Sequence, residues 1–234
     1  PQSNKISENA FSSVKTAVKN DCSSGSVDVT HNWWGSPFGP QAPIIGDAQV
    51  IQWCADATCK TFAPNGDGVV EITGDVNQEG GININVPHTT YLLKDGVVVE
   101  NESPCFNVNA SYVTIKAESI GGAKCVPTGG ANGINVAAGL VNIVIDGLEI
   151  DGTGQTTGDG IHFDGVVTDV VLKDNFIHDL DRNGVYFGGQ PAELTPGGID
   201  IHGNLFQNNG GKGIEAGGFT VPAEENSWGS KDGA

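Results

Sequence analysis

Basic residues are scarce in this chain: 11 Lys and Arg stand against 28 Asp and Glu, for a formal net charge of −17. Nucleic acid is thereby excluded as a partner, because phosphate contacts need clustered cations, and anionic membrane surfaces are disfavoured for the same reason. Aromatics are also few, at 7% of 234 residues, and no apolar run approaches the length needed to span a membrane. The opening Pro1-Gln2-Ser3-Asn4 lacks the charged and apolar regions of a secretory leader, and reads as the interior of a longer or processed product.

What the chain has instead is glycine, 35 residues of it, punctuating apolar runs that recur. Regular punctuation of that kind implies tight corners between ordered segments rather than a flexible linker. Five cysteines are present, Cys22, Cys54, Cys59, Cys105 and Cys125, without the spacing of a zinc site or a redox CxxC pair. Two disulfides, Cys54–Cys59 and Cys105–Cys125, are the simplest pairing, and they place the protein outside the cell or at its surface. The second bond is expected to tie a capping region to the first full turn. Cys22 is left over, as a buried thiol or with a partner elsewhere.

The fold follows from two interleaved repeats. One aligns Val113, Ile143, Val170 and Ile199, at steps of 30, 27 and 29 residues. The other is Gly133-Ile-Asn-Val136, Gly160-Ile-His-Phe163, Gly184-Val-Tyr-Phe187 and Gly213-Ile-Glu-Ala216, at steps of 27, 24 and 29. Within each segment apolar and variable residues alternate, which is the period of a strand with one buried face. A unit this short cannot bury that face alone, so successive units must stack, and a chain that always returns in the same sense pairs its strands in parallel. The expectation is an all-β, right-handed parallel β-helix of roughly 24–30 residues per turn. Its core should hold Ile134, Val136, Ile143, Ile145, Ile161, Phe163, Val170, Leu172, Val185, Phe187, Ile199, Ile201 and Ile214.

Spacing, the corner asparagines Asn175 and Asn204, and the motif Asn32-Trp33-Trp34-Gly35-Ser36-Pro37 together resemble the right-handed parallel β-helix repeat proteins of the pectate-lyase-like superfamily. That resemblance spans most of residues 69–234 and implies the fold; the superfamily includes lyases, hydrolases, epimerases, adhesins and surface-layer modules, so it implies no single function. The motif returns as Asn226-Ser227-Trp228-Gly229-Ser230, 194 positions after its first occurrence. Residues 1–40 therefore read as the closing turns of one β-helix unit, 41–68 as a connector carrying Cys54 and Cys59, and 69–234 as a whole unit. The tryptophans of the motif are expected to cover the end of the stack. Residues 1–40 either cap their own chain or complete a neighbour's stack, a head-to-tail association that would propagate.

Chemistry, if present, belongs on the outward column Asn135, His162, Tyr186 and Glu215, where a sugar could bind or a proton move. Arg182 and the corner acids Asp159, Asp164, Asp179 and Asp181 flank it. A second outward column, Lys116, Asp146, Lys173 and His202, alternates in charge and reads as a solvated face that fixes register. Calcium-dependent lyases of the resembled superfamily combine clustered acidic ligands with a basic Arg or Lys. Here Arg182 is the candidate, with only Lys173 and Lys212 near it in sequence. The paired aspartates of the hydrolases and the Asp-Pro-His-Glu motif of mannuronan epimerases are missing. No cofactor is implied; calcium is the one ion that the loop acids of Asn65–Gly68 and Asp151–Asp159 would suit, although their glycines and acids fit ordinary turns. Asn101-Glu-Ser103 and Asn109-Ala-Ser111 are glycosylation sequons. The favoured reading is a non-enzymatic module of a repeated surface, filament or adhesin protein. A carbohydrate-active enzyme or glycan-binding module using the Asn135–Glu215 face is the alternative.

Overall fold

In the computed structural model, residues 68–189 and 198–229 are described continuously. Within 1–67 the described segments are 4–7, 9–11, 15–16, 18–19, 27–34, 36–38, 40, 44–45, 48–49, 53–54 and 62–63. The main body is a parallel β-solenoid of about five turns, and the described residues contain no helix.

Successive turns build three parallel sheets of six, five and six strands, the first turn meeting the second sheet through the single Val76–Val99 bridge. The first sheet stacks Val69–Ile72, Thr89–Leu93, Val113–Ala117, Val141–Asp146, Thr168–Lys173 and Ile199–His202. The second stacks Val98–Asn101, Lys124–Pro127, Glu149–Asp151, Phe176–His178 and Leu205–Gln207. The third stacks Ile82–Ile84, Phe106–Val108, Ile134–Val136, Ile161–Phe163, Val185–Phe187 and Ile214–Ala216. Both expected registers are observed: Val113 pairs with Ile143, Ile143 with Val170 and Val170 with Ile199, while Ile134 pairs with Ile161, Ile161 with Val185 and Val185 with Ile214. The first turn is shorter than the expected range, Val69 pairing with Thr90, 21 residues on.

Two repeats in the sequence become three sheets because the first repeat breaks in the middle. Gly147, Asp174 and Gly203, one per turn, adopt left-handed φ values of 71°, 57° and 68°. The chain bends there, so Ile150, Ile177 and Phe206 point into the same interior from a second sheet. Every residue of the expected core is buried except Ile214, which is half-buried on the last turn.

That corner is held by asparagine. Asn175 and Asn204 are almost fully buried, and each carboxamide does the work of a missing backbone neighbour. Asn204 Oδ1 accepts from the Asn175 backbone N–H (3.0 Å) and side chain (2.9 Å), while its Nδ2 donates to Leu172 O (2.8 Å). Asn175 repeats the pattern one turn earlier with Leu148 N–H and Ile145 O. Buried polar groups at a bend where the strand ladder lapses are thus satisfied from turn to turn.

The corner into the third sheet uses the opposite device. Gly133, Gly160, Gly184 and Gly213 stack, and a Cβ on Gly160 would stand 2.5 Å from the Gly184 carbonyl oxygen and 2.7 Å from Leu180 Cδ1. One position in this column is not glycine. Cys105, whose N–H donates to Gly133 O, directs its sulfur inward to Cys125, with Cα atoms 5.9 Å apart. The disulfide therefore joins successive turns inside the solenoid, not a capping region to the first turn. Cys22 and Cys59 lie outside the described residues, and with Cys59 the expected Cys54–Cys59 bond.

Residues 41–68 contain short strands. Ile44–Ile45 pairs in parallel with Val18–Lys19, and Ala48–Gln49 with Val27–Asp28, which itself pairs with Asn4–Lys5. Trp53 is fully buried within the same core as Trp34, Val70 and Tyr91.

Candidate ligand face

The third sheet turns its central residues outward. Asn135, His162, Tyr186 and Glu215 stand in register, one per turn, and the column extends back through Asn107 and Asn83. These last two escape the sequence reading because the first repeat units are degenerate around Cys105. The His162 and Tyr186 rings stack at 4.8 Å between centroids, as inter-strand spacing allows. Arg182 lies over Tyr186 at 5.8 Å from the ring centroid. Glu215, at the far end, is paired with Lys212 (2.6 Å).

Asp159 supports the middle of this column from within. It is fully buried, and its carboxylate accepts from His162 Nδ1 (2.9 Å) and from Asn183 backbone N–H (3.0 Å) and Nδ2 (2.9 Å). Arg182 approaches at 3.5 Å. Burial by itself would raise the Asp159 pKa, but the hydrogen bonds from His162 and Asn183 and the charge of Arg182 together hold it below the usual carboxylate value. His162 is thereby oriented with Nε2 toward Asp164, 3.6 Å away. An imidazole fixed by a buried carboxylate is a competent proton acceptor or hydrogen-bonding group. Clefts of about 510 Å³ (around Asn77, Glu100 and Thr128) and about 220 Å³ (around Phe206, Lys212 and Trp228) occur elsewhere, and His162 lines neither.

The other outward column behaves as a charge ladder. Lys116, Asp146, Lys173 and His202 are in register, and Lys173 pairs with Asp146 at 3.0 Å.

A third group, on the second sheet, was not evident in sequence. Ligand atoms of Glu149, Asp151 and His178 lie within 4.8 Å of one another. His178 contacts Glu149 through Nε2 (3.1 Å) and Asp179 through Nδ1 (2.8 Å). The Lys124 ammonium bonds both Glu149 (2.8 Å) and Asp151 (3.1 Å). It supplies between these carboxylates the positive charge that a metal ion would bring. Of the loop acids, Asp151 accepts from the Thr153 N–H (2.9 Å) and pairs with Lys124, whereas Asp159 bonds His162 and Asn183; Asn65 and Asp67 lie outside the described residues. Of the sequons, Asn101 is nearly buried and donates to Gln78 O, whereas Asn109 is exposed.

No family model, curated protein or solved structure matches the chain.

Proposed function

We propose that this chain is a non-enzymatic, extracellular structural module of a repeated surface, filament or adhesin protein, related to the pectate-lyase-like β-helices and able to associate head to tail. The observation that carries this reading is a motif built twice. Asn9 N–H donates to Asn32 Oδ1 as Asn204 N–H donates to Asn226 Oδ1, each at 2.9 Å. Asn32 Nδ2 reaches Ile6 O as Asn226 Nδ2 reaches Ile201 O, each at 2.7 Å. Trp34 stacks on Phe11 as Trp228 stacks on Phe206, each at 4.9 Å. Recurrence of whole structural units is the signature of solenoid arrays. The buried Cys105–Cys125 bond supports an oxidising compartment.

Incubation with pectate and alginate tests the reading: both polymers should remain intact. Turnover that disappears in His162→Ala or Arg182→Ala would overturn it. Light scattering and electron microscopy of the intact chain, against one lacking residues 1–40, test self-association. Polymers from the intact chain support it, and a monomer at high concentration excludes it.

The stacked His162–Tyr186 pair favours one alternative, glycan binding without turnover on the Asn135–Glu215 face, since a flat ring beside hydrogen-bonding groups suits a sugar. Binding on a glycan array that is lost in Tyr186→Ala would establish it.

A further inference from the structure

We infer that the solenoid end at Asn226–Trp228 is a junction, and that its occupant is a following unit of the same kind. This rests on the structural-module reading and names the partner of that module. Each copy of the motif has a different continuation. After the first copy, Ile44–Ile45 and Ala48–Gln49 pair in parallel with strands that precede the motif. The stack is therefore not closed by Trp34; it continues past it. Pro37 O accepts from Trp53 Nε1 at 2.9 Å, Phe38 O from the Tyr91 hydroxyl at 3.2 Å, and Pro40 O from Asn85 Nδ2 at 2.8 Å. Trp34 is 6% exposed and Trp53 fully buried, in one core with the first turn of the solenoid.

The second copy has the same internal bonds and lacks that cover among the described residues. Trp228, stacked on Phe206, is half-buried, as are Ile214 in the last strand and Phe219 and Val221 after it. A cleft of about 220 Å³ opens beside it, lined by Phe206, Gln207, Lys212 and Trp228. An end of a parallel stack presents unpaired backbone and apolar side chains, and a further turn satisfies both. The first copy displays the turn that fits: the strands of 44–49 followed by Trp53. The equivalent segment of a second unit would seat on Trp228 as Trp53 and its neighbours follow Trp34, and consecutive units would form one continuous rod.

The test compares the present chain with a two-unit chain, residues 1–228 followed directly by residues 35–234, so that Trp228 takes the place of Trp34 at the joint. Hydrogen exchange is read at 9–11 and 32–34, and at 204–207 and 226–228. In the single chain the second set should exchange about tenfold faster than the first, and in the two-unit chain it should slow to match. X-ray scattering of the two-unit chain should fit a single straight rod. Equal rates in the single chain, or unchanged rates at the joint with two independently moving bodies in scattering, would overturn the inference. Circular dichroism twice that of one unit verifies folding. Trp228→Ser in the two-unit chain should return the joint to single-chain exchange; no change there also counts against it. A flexible joint would leave the structural-module reading standing, whereas polysaccharide turnover would remove that reading and leave these rates unaffected.

Discussion

The two bends flanking the second sheet solve one problem in opposite ways. At the first, the chain leaves the ladder and buried backbone groups would lose partners, so a carboxamide with two donors and an acceptor is inserted at Asn175, Asn204 and Asn226. At the second, successive turns approach so closely that a side chain has no room, so the column is glycine from Gly133 to Gly213. One corner is specified by adding hydrogen bonds and the other by removing atoms. Cys105 shows the second rule from its exception: the one large side chain in the column is accommodated by covalent attachment to Cys125.

Replacing a ladder asparagine should have the largest effect. Asn204→Ala strands the buried N–H of Asn175 and the carbonyl of Leu172, each costing about 1–3 kcal/mol. Urea unfolding should therefore show a loss of about 3–5 kcal/mol. A loss under 1 kcal/mol would mean that water replaces the ladder. At the other corner, Gly160→Ala should cost about 1–3 kcal/mol by overpacking, because the Gly184 carbonyl, fixed in the backbone, would stand 2.5 Å from the new Cβ, with the Leu180 and Ile177 methyls crowding it as well. Neutral or stabilising behaviour would refute the close approach.

Asp159 sits next to Gly160 and adds a charge to the glycine corner. Its folded pKa lies below the ordinary 3.8, so its contribution is complete above that value and is lost as pH falls through the lower folded value. Asp159→Asn should be about 1–3 kcal/mol less stable at pH 7, and the two melting curves should converge as pH drops below about 4. A constant difference across that range would show that the charge is not what matters. The smallest effect is expected on the first sheet's outer face, remote from both interiors. Lys173→Ala removes a 3.0 Å pair with Asp146 and should cost about 0.5 kcal/mol, falling further in high salt. A change above 1.5 kcal/mol would mean that this ladder contributes more to stability than solvated ion pairs do.

How much of this was legible in advance differs between the same corners. The glycine column was visible in the four segments that open at Gly133, Gly160, Gly184 and Gly213, because a position crowded by the backbone of the next turn strongly favours one residue type. Asn175 and Asn204 were visible as corner residues, but the bend beside them was not. Gly147, Asp174 and Gly203 are different residues performing one backbone task, so no shared letter marks the break between the first and second sheets. On the candidate face, Asn135, His162, Tyr186 and Glu215 could be aligned from the period alone. The burial of Asp159 beneath His162 could not, since sequence spacing places side chains on a face without saying which neighbours close over them. Glu149, Asp151 and His178 meet for a related reason, being one turn apart on a sheet that the repeats did not separate.

Sequence by itself determined the strand period, the parallel sense, the two registers and nearly all of the core, because alternation and repeat length are one-dimensional properties that stacking preserves. Only tertiary structure decided the three-sheet cross-section, the interior course of the Cys105–Cys125 bond and the company kept by each charged group. Those depend on the angle at which the chain turns and on contacts between successive turns. They depend as well on whether strands resume after a motif, and at Trp34 they resume, whereas at Trp228 no further turn covers the ring among the described residues.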